Sequence, residues 1–174
     1  EKLRQSEERL ELAMQGSQDG FWDWDMKTGQ QYFSGRWKEM RGYAHSETIL
    51  DRKDWEELIH PEDLDEMLAG LEKSFSGQLD HFQAEFRIKT KDGSYKWIMS
   101  RGMTKFDKAG KPYRMSGSHT DISERKESEI RLKTLTKAID NAPVSVVMTN
   151  KAGVIEYVNP KFSHVTGFMP EEVM

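Results

Sequence analysis

Two hydrophobic periods alternate along this chain. In residues 1–14, Leu3, Leu10, Ala13 and Met14 fall near one helical stripe in a segment otherwise rich in Glu, Arg, Lys and Gln. So thin a stripe cannot hold a lone helix in water. It needs a partner, and a second copy of itself is the simplest one. Beyond Gly16–Gly20 the period drops to two, with Trp22, Trp24 and Met26 against Phe21, Asp23 and Asp25. Lys27-Thr28-Gly29 is a turn, and Gln30–Phe33 returns. Ser34 is placed to cap a short helix bearing Trp37 and Met40, which Gly42 ends. Short irregular helices are expected over Ala44–Ile59. His60-Pro61-Glu62-Asp63 opens the one substantial internal helix, since Pro suits the first position and acids suit the first turn. Leu64, Met67, Leu68, Leu71 and Phe75 give it an apolar face, and Ser76-Gly77 ends it.

Three strands follow. His81–Thr90 sets Phe82, Ala84, Phe86 and Ile88 against Gln83, Glu85, Arg87 and Lys89. Lys91-Asp92-Gly93 is a hairpin turn, after which Tyr95, Trp97 and Met99 share a face. Lys108-Ala109-Gly110 leads into a last strand with Tyr113, Met115, Gly117 and His119 on one side. This order predicts an α+β domain: a five-stranded antiparallel sheet with helices on one face, flanked by amphipathic linker helices. At Asp121 the period changes back, and Leu132, Leu135 and Ile139 lie on one helical stripe. Asp121 and Ser123 sit at the switch, and both side chains suit capping of the first free helix amides, with Glu124 three after Asp121. A helix joined rigidly to the last strand would carry any change in the sheet onward.

The chain also repeats itself. Tyr32–Ile49 lies over Tyr157–Met174 without a gap, pairing Ser34 with Asn159, Arg36 with Lys161, Trp37 with Phe162, Gly42 with Gly167 and Tyr43 with Phe168. Lys151-Ala152-Gly153 falls close to the first turn, and Ala138 matches Ala13. The second copy stops before its long helix and last three strands. Two strands and a short helix bury little surface, so residues 142–174 are expected to be poorly ordered or completed by another molecule along an open sheet edge.

Composition narrows the chemistry. The 174 residues suffice for one ordinary domain plus part of another. The start at Glu1 rather than Met is expected of a piece of a longer chain. With 32% charged residues, 36% hydrophobic ones and a net charge of −4, it reads as a well-hydrated module with no electrostatic case for nucleic acid or an anionic membrane. No apolar run approaches the ~20 residues of a bilayer span, so a cytoplasmic setting is the default, with any tether lying elsewhere in the parent. The absence of cysteine excludes disulfides, thiolate nucleophiles, Cys-based zinc sites and covalent c-type haem. Glu56, Glu57, Glu62, Asp63, Asp65 and Glu66 read as a solvated helix face rather than a metal or catalytic pair. No phosphate loop, Ser/His/Asp set or HExxH is present, and no enzyme activity is expected of this piece.

GSHTDISERK at Gly117–Lys126 resembles the end of a PAS domain of the PAC-containing type. Gly20–Asp25 (GFWDWD), Tyr32–Tyr43 (YFSGRWKEMRGY), His60–Asp63 (HPED) and Asp92–Trp97 (DGSYKW) match that family in its order, and IEYVNPKFSHVTGF resembles the opening of a second such domain. The resemblance implies a linker helix at 1–14, a PAS domain at 15–122, a connecting helix at 123–141 and the incomplete start of a second domain at 142–174. It implies a cavity between sheet and helices that holds a small molecule or only water. By the alternation above, its walls would come from Trp22, Trp24, Phe86, Trp97, Met99 and Met115, with Trp37, Met40 and Met67 from the helices. Histidine-ligated haem in this family uses a histidine on the long helix, and residues 62–75 hold none; light-sensing flavin domains use a cysteine, also missing here. Non-covalent flavin stacked on the tryptophans stays open beside the core-packing reading of Trp22, Trp24, Trp37 and Trp97, which is favoured; otherwise no cofactor or metal is expected, while a small-molecule ligand fits the cavity, as does a core filled by its own side chains. The implied role is a sensory and relay module of a larger signalling protein. It would act through Asp121 and Ser123 on an adjacent PAS domain and an effector such as a histidine kinase or diguanylate cyclase. It would form a homodimer through Leu3, Leu10, Leu132, Leu135 and Ile139. The alternative is a ligand-free dimerisation and spacing element.

Overall fold

The computed structural model describes residues 1–46 and 55–174, so half of the stretch expected to form short helices before Ile59 lies outside the described residues. The chain divides into two compact units, Glu1–Ser123 and Glu124–Met174.

In the first unit, helix α1 (Lys2–Gly16) precedes strands β1 (Gly20–Asp25) and β2 (Gln31–Phe33), helix α2 (Gly35–Met40), helix α3 (Pro61–Phe75) and strands β3 (Phe82–Lys89), β4 (Tyr95–Phe106) and β5 (Pro112–Asp121). The strands form one antiparallel sheet in the order β2-β1-β5-β4-β3. The first and last strands of this unit, β1 and β5, thus lie side by side. The Ser34 hydroxyl accepts from the Trp37 amide to cap α2, and the helix stops where Gly42 takes φ +80°. His60 caps α3 through its ring, and Asp63 on the first turn accepts from the Arg87 backbone and guanidinium, at 2.8 and 2.9 Å, which pins the helix to β3. These acids are therefore not merely solvated: Glu62 also meets Arg87, at 2.7 Å.

Apolar side chains from α2 and α3 close over one sheet face. Trp37, Met40, Ile59 and Met67 pack there with Phe82, Phe86, Ile88, Ile98 and Met115. The register corrects one expectation. Phe86 pairs with Ile98 and Ala84 with Ser100, whereas Arg87 pairs with Trp97 and Glu85 with Met99. Directly paired residues share a face, so Ile98, Ser100 and Gly102 point into the core. Trp97 and Met99 lie on the opposite face and do not wall the cavity. Across β5, Gly102 and Trp22 both pair with Gly117. A Cβ on Gly117 would stand 2.0 Å from the Arg101 carbonyl oxygen and 2.7 Å from the Trp22 ring. The missing side chains make the bed on which that indole lies.

The second unit begins in helix α4 (Ser123–Asp140), whose side chains are all at least partly exposed, and continues into the hairpin β6 (Val147–Thr149) and β7 (Ile155–Val158), then helices α5 (Pro160–Thr166) and α6 (Pro170–Val173). The repeat recurs here in two equivalent hydrogen bonds. Phe21 N donates to the Ser34 side chain at 2.9 Å, and Val146 N donates to that of Asn159 at 2.9 Å. Trp37 N and Phe162 N donate to the same two side chains at 3.3 and 3.1 Å. For residues 142–174, where disorder or an outside partner is expected, the structure has regular elements tied to the end of α4: Asn159 donates to Ile139 O and Val144 O, each at 3.0 Å. Only Val158 and Asn159 are buried, so this piece has little core of its own.

Candidate functional site

Two places in the first unit gather buried or paired polar groups, and β5 connects them. One is a cavity of about 60 Å³ between the inner sheet face and the helices, walled by Trp22, Trp24, Phe33, Trp55, Met67 and Met115 among others. Of the residues expected to line it, Trp22, Trp24, Met67 and Met115 do. Trp37, Met40 and Phe86 are buried in the core beside it but do not reach the wall. Gln31, Ser100 and His119 reach it instead. Alternation alone gave them little weight, because polar residues on a core face read as interruptions.

His119 is 4% exposed and packs edge-on to Trp22 and Phe86, at ring distances of 6.0 and 5.7 Å. Its Nδ1 accepts from Trp37 Nε1 at 2.9 Å. Burial pushes its pKa down to about 3, and the positive charge of Arg41 adds to the effect. The ring is thus neutral, with its proton on Nε2. Arg41 itself is 1% exposed. Its Nε and Nη2 both donate to Lys89 O, at 3.1 and 2.8 Å, and its guanidinium lies over Trp37. Burial lowers its pKa to about 10, so it stays charged.

The other place is the corner where β5 becomes α4. Asp121 pairs across with Ile98 on β4, and its carboxylate takes the Lys96 ammonium at 2.8 Å. The same carboxylate accepts from the Ser123 amide at 3.0 Å, which satisfies one first-turn donor of the helix. Burial raises the Asp121 pKa, but the bonds from Lys96 and Ser123 outweigh it and hold the carboxyl low. Ser123 does not cap the helix as expected. Its hydroxyl accepts from the Trp97 amide of β4 at 3.1 Å, and Ile122 N donates to Trp97 O at 2.9 Å. Three successive residues are therefore fastened to β4.

The remaining candidates are simpler. Leu132 and Leu135 are 65% and 52% exposed, Ile139 is half-buried, and the side chains of Leu3 and Leu10 lie outside the described residues. Among the described residues, no helix is long and apolar enough to cross a membrane, and no group of three or more His, Asp or Glu is placed to hold a metal.

A family model of the PAS fold matches residues 30–119, and a second, of the PAS domain, matches residues 131–173. The chain belongs to the PAS family. A solved sensory box histidine kinase/response regulator from Burkholderia thailandensis is 35% identical, covering 77% of this chain and 99% of that one, with a TM-score of 0.68. A probable diguanylate cyclase, DgcE, of Escherichia coli is 27% identical over 172 residues, which are 96% of this chain and 15% of the cyclase. Hybrid signal transduction histidine kinase A of Dictyostelium discoideum is 46% identical over 56 residues, 32% of this chain and 3% of the kinase. This PAS chain thus spans a small part of its curated relatives, and its place among sensor proteins makes it an input module of signal transduction. A light-oxygen-voltage domain, from work with a flavin analogue, shares the fold at 20% identity and a TM-score of 0.52, so the architecture does not exclude a cofactor.

Proposed function

We propose that this chain senses in its PAS core and relays through its last strand and α4 to an effector in the same parent protein, a histidine kinase or a diguanylate cyclase. One observation carries the reading. On β5, His119 walls the cavity and Asp121, two residues on, anchors the start of the outgoing helix. A shift of the strand under His119 moves the carboxylate that Lys96 and Ser123 share. Biasing such a two-state corner takes only a few kcal/mol of differential ligand affinity. The cavity of about 60 Å³ is far below the ~300–1,000 Å³ usual for larger ligands. The reading therefore takes a small guest or a partner as the stimulus, and neither flavin nor haem. In the full-length parent, Asp121→Ala is expected to uncouple output from stimulus while leaving the domain folded by circular dichroism. Unchanged signalling would remove the corner from the mechanism.

A second reading, a ligand-free dimerisation and spacing element, is favoured by the bare stripe at Leu132 and Leu135. Sedimentation as a dimer, with no bound mass in native mass spectrometry, would support it over the first.

A further inference from the structure

Among the described residues, five buried polar side-chain atoms have no hydrogen-bond partner: Trp22 Nε1, Gln31 Oε1, Arg41 Nη1, Ser100 Oγ and Ser163 Oγ. Trp22, Gln31 and Ser100 all wall the one cavity described above. A core left merely unfilled is lined by apolar atoms and stays dry. Each orphaned polar group in a core is destabilising, and three at one spot are a poor way to fill space. Their arrangement has the character of a binding site.

The donors and acceptors define the guest. An indole nitrogen only donates. The His119 ring also walls the cavity, and with Nδ1 taken by Trp37 its remaining group is the Nε2 donor. Ser100 both donates and accepts, and Gln31 presents an acceptor. A guest with one oxygen between the N–H donors and one donor toward Gln31 satisfies the set. The space admits a few waters, or one molecule of about four heavy atoms. Charge is disfavoured in both senses: an anion would face Asp23 and Glu56 on the wall, and a cation would meet the N–H donors of Trp22 and His119.

Building on the core as the sensing end, we propose that this cavity is a binding site for a small uncharged molecule bearing a carbonyl or hydroxyl oxygen, held by Trp22, Ser100, Gln31 and His119. Small amides, ketones and alcohols belong to this class. Acetamide is a probe of the right size. It is titrated into the ¹⁵N-labelled 174-residue chain while the Trp22 indole and Ser123 amide resonances are followed. Acetamide is expected to shift the Trp22 indole saturably, with a millimolar Kd. Ser100→Ala and, at the more tolerant sheet edge, Gln31→Met should each weaken it about tenfold. Xenon, sodium acetate and methylammonium should bind less well. Preferred uptake of xenon would show a dry apolar void, preferred acetate or methylammonium a charged-ligand site, and an unmoved Trp22 indole a cavity that takes only water. Each of these overturns the proposal. Saturation at Trp22 with an unmoved Ser123 amide would sustain the site and count against the relay; no saturation would leave the relay standing.

Discussion

At the scale of one residue, His119 links burial to pH. Its native pKa is about 3, whereas an unfolded histidine titrates near ~6.5. Between these values the unfolded chain binds a proton that the native chain refuses. Stability therefore rises with pH across that window, and the contribution is complete above it. At about 1.4 kcal/mol per pH unit, the full effect is on the order of 5 kcal/mol. The paired carboxylates act lower down. The Thr90 hydroxyl holds Asp92 near 2, and Arg87 holds Asp63 low, so their contributions are lost only at more acid pH. The urea midpoint is expected to fall steadily from pH 6.5 to 4.5, and His119→Gln to flatten that slope; a flat wild-type profile would mean the ring is not buried neutral. None of this was legible locally. The partner of His119, Trp37, lies 82 residues away, and one histidine in an alternating strand carries no mark of its depth.

At the scale of the element, order and type followed from periodicity, and the errors came from register. In β4 the bulkier set, Tyr95, Trp97 and Met99, lies on the sheet face opposite the cavity, where Met99 is still buried, and the set containing Lys96, Ile98 and Ser100 lies on the cavity face. Size of side chain favoured the wrong face. The hairpin decides it, because Lys89 pairs with Tyr95 and Lys89 belongs to the polar face of β3. Ser123 was misjudged for a related reason. Its position suits a helix cap, but a neighbouring strand offers a free amide at 3.1 Å that sequence does not show. The glycine bed under Trp22 is the feature most open to test. Gly117→Ala would force a methyl against the Arg101 carbonyl and the indole, with an expected loss of about 3 kcal/mol. Denaturant unfolding measures it, and a loss within ~0.5 kcal/mol would show that the sheet yields there.

At the scale of the molecule, the internal repeat was the most legible feature, because it needed only two copies of one sequence to be compared. Its hydrogen bonds confirm the alignment at Ser34 and Asn159. Sequence did not show how a two-stranded piece with two buried residues holds together. Asn159 does much of this, satisfying Val146 N, Phe162 N, Ile139 O and Val144 O with one side chain. Asn159→Ala is expected to raise amide exchange in residues 144–162 by at least tenfold while leaving β1–β5 protected. Equal loosening of both units would mean that the two do not fold separately.

The exchange of serine for asparagine between the copies has a mechanical consequence. The Ser34 hydroxyl is short and, among the described residues, engages the amides of Phe21 and Trp37. The longer carboxamide of Asn159 also grips Ile139, in the last turn of the helix that delivers the chain to its copy. Rotation or withdrawal of that helix would therefore pull on the Asn159 latch, whereas among the described residues no such bond joins α1 to Ser34.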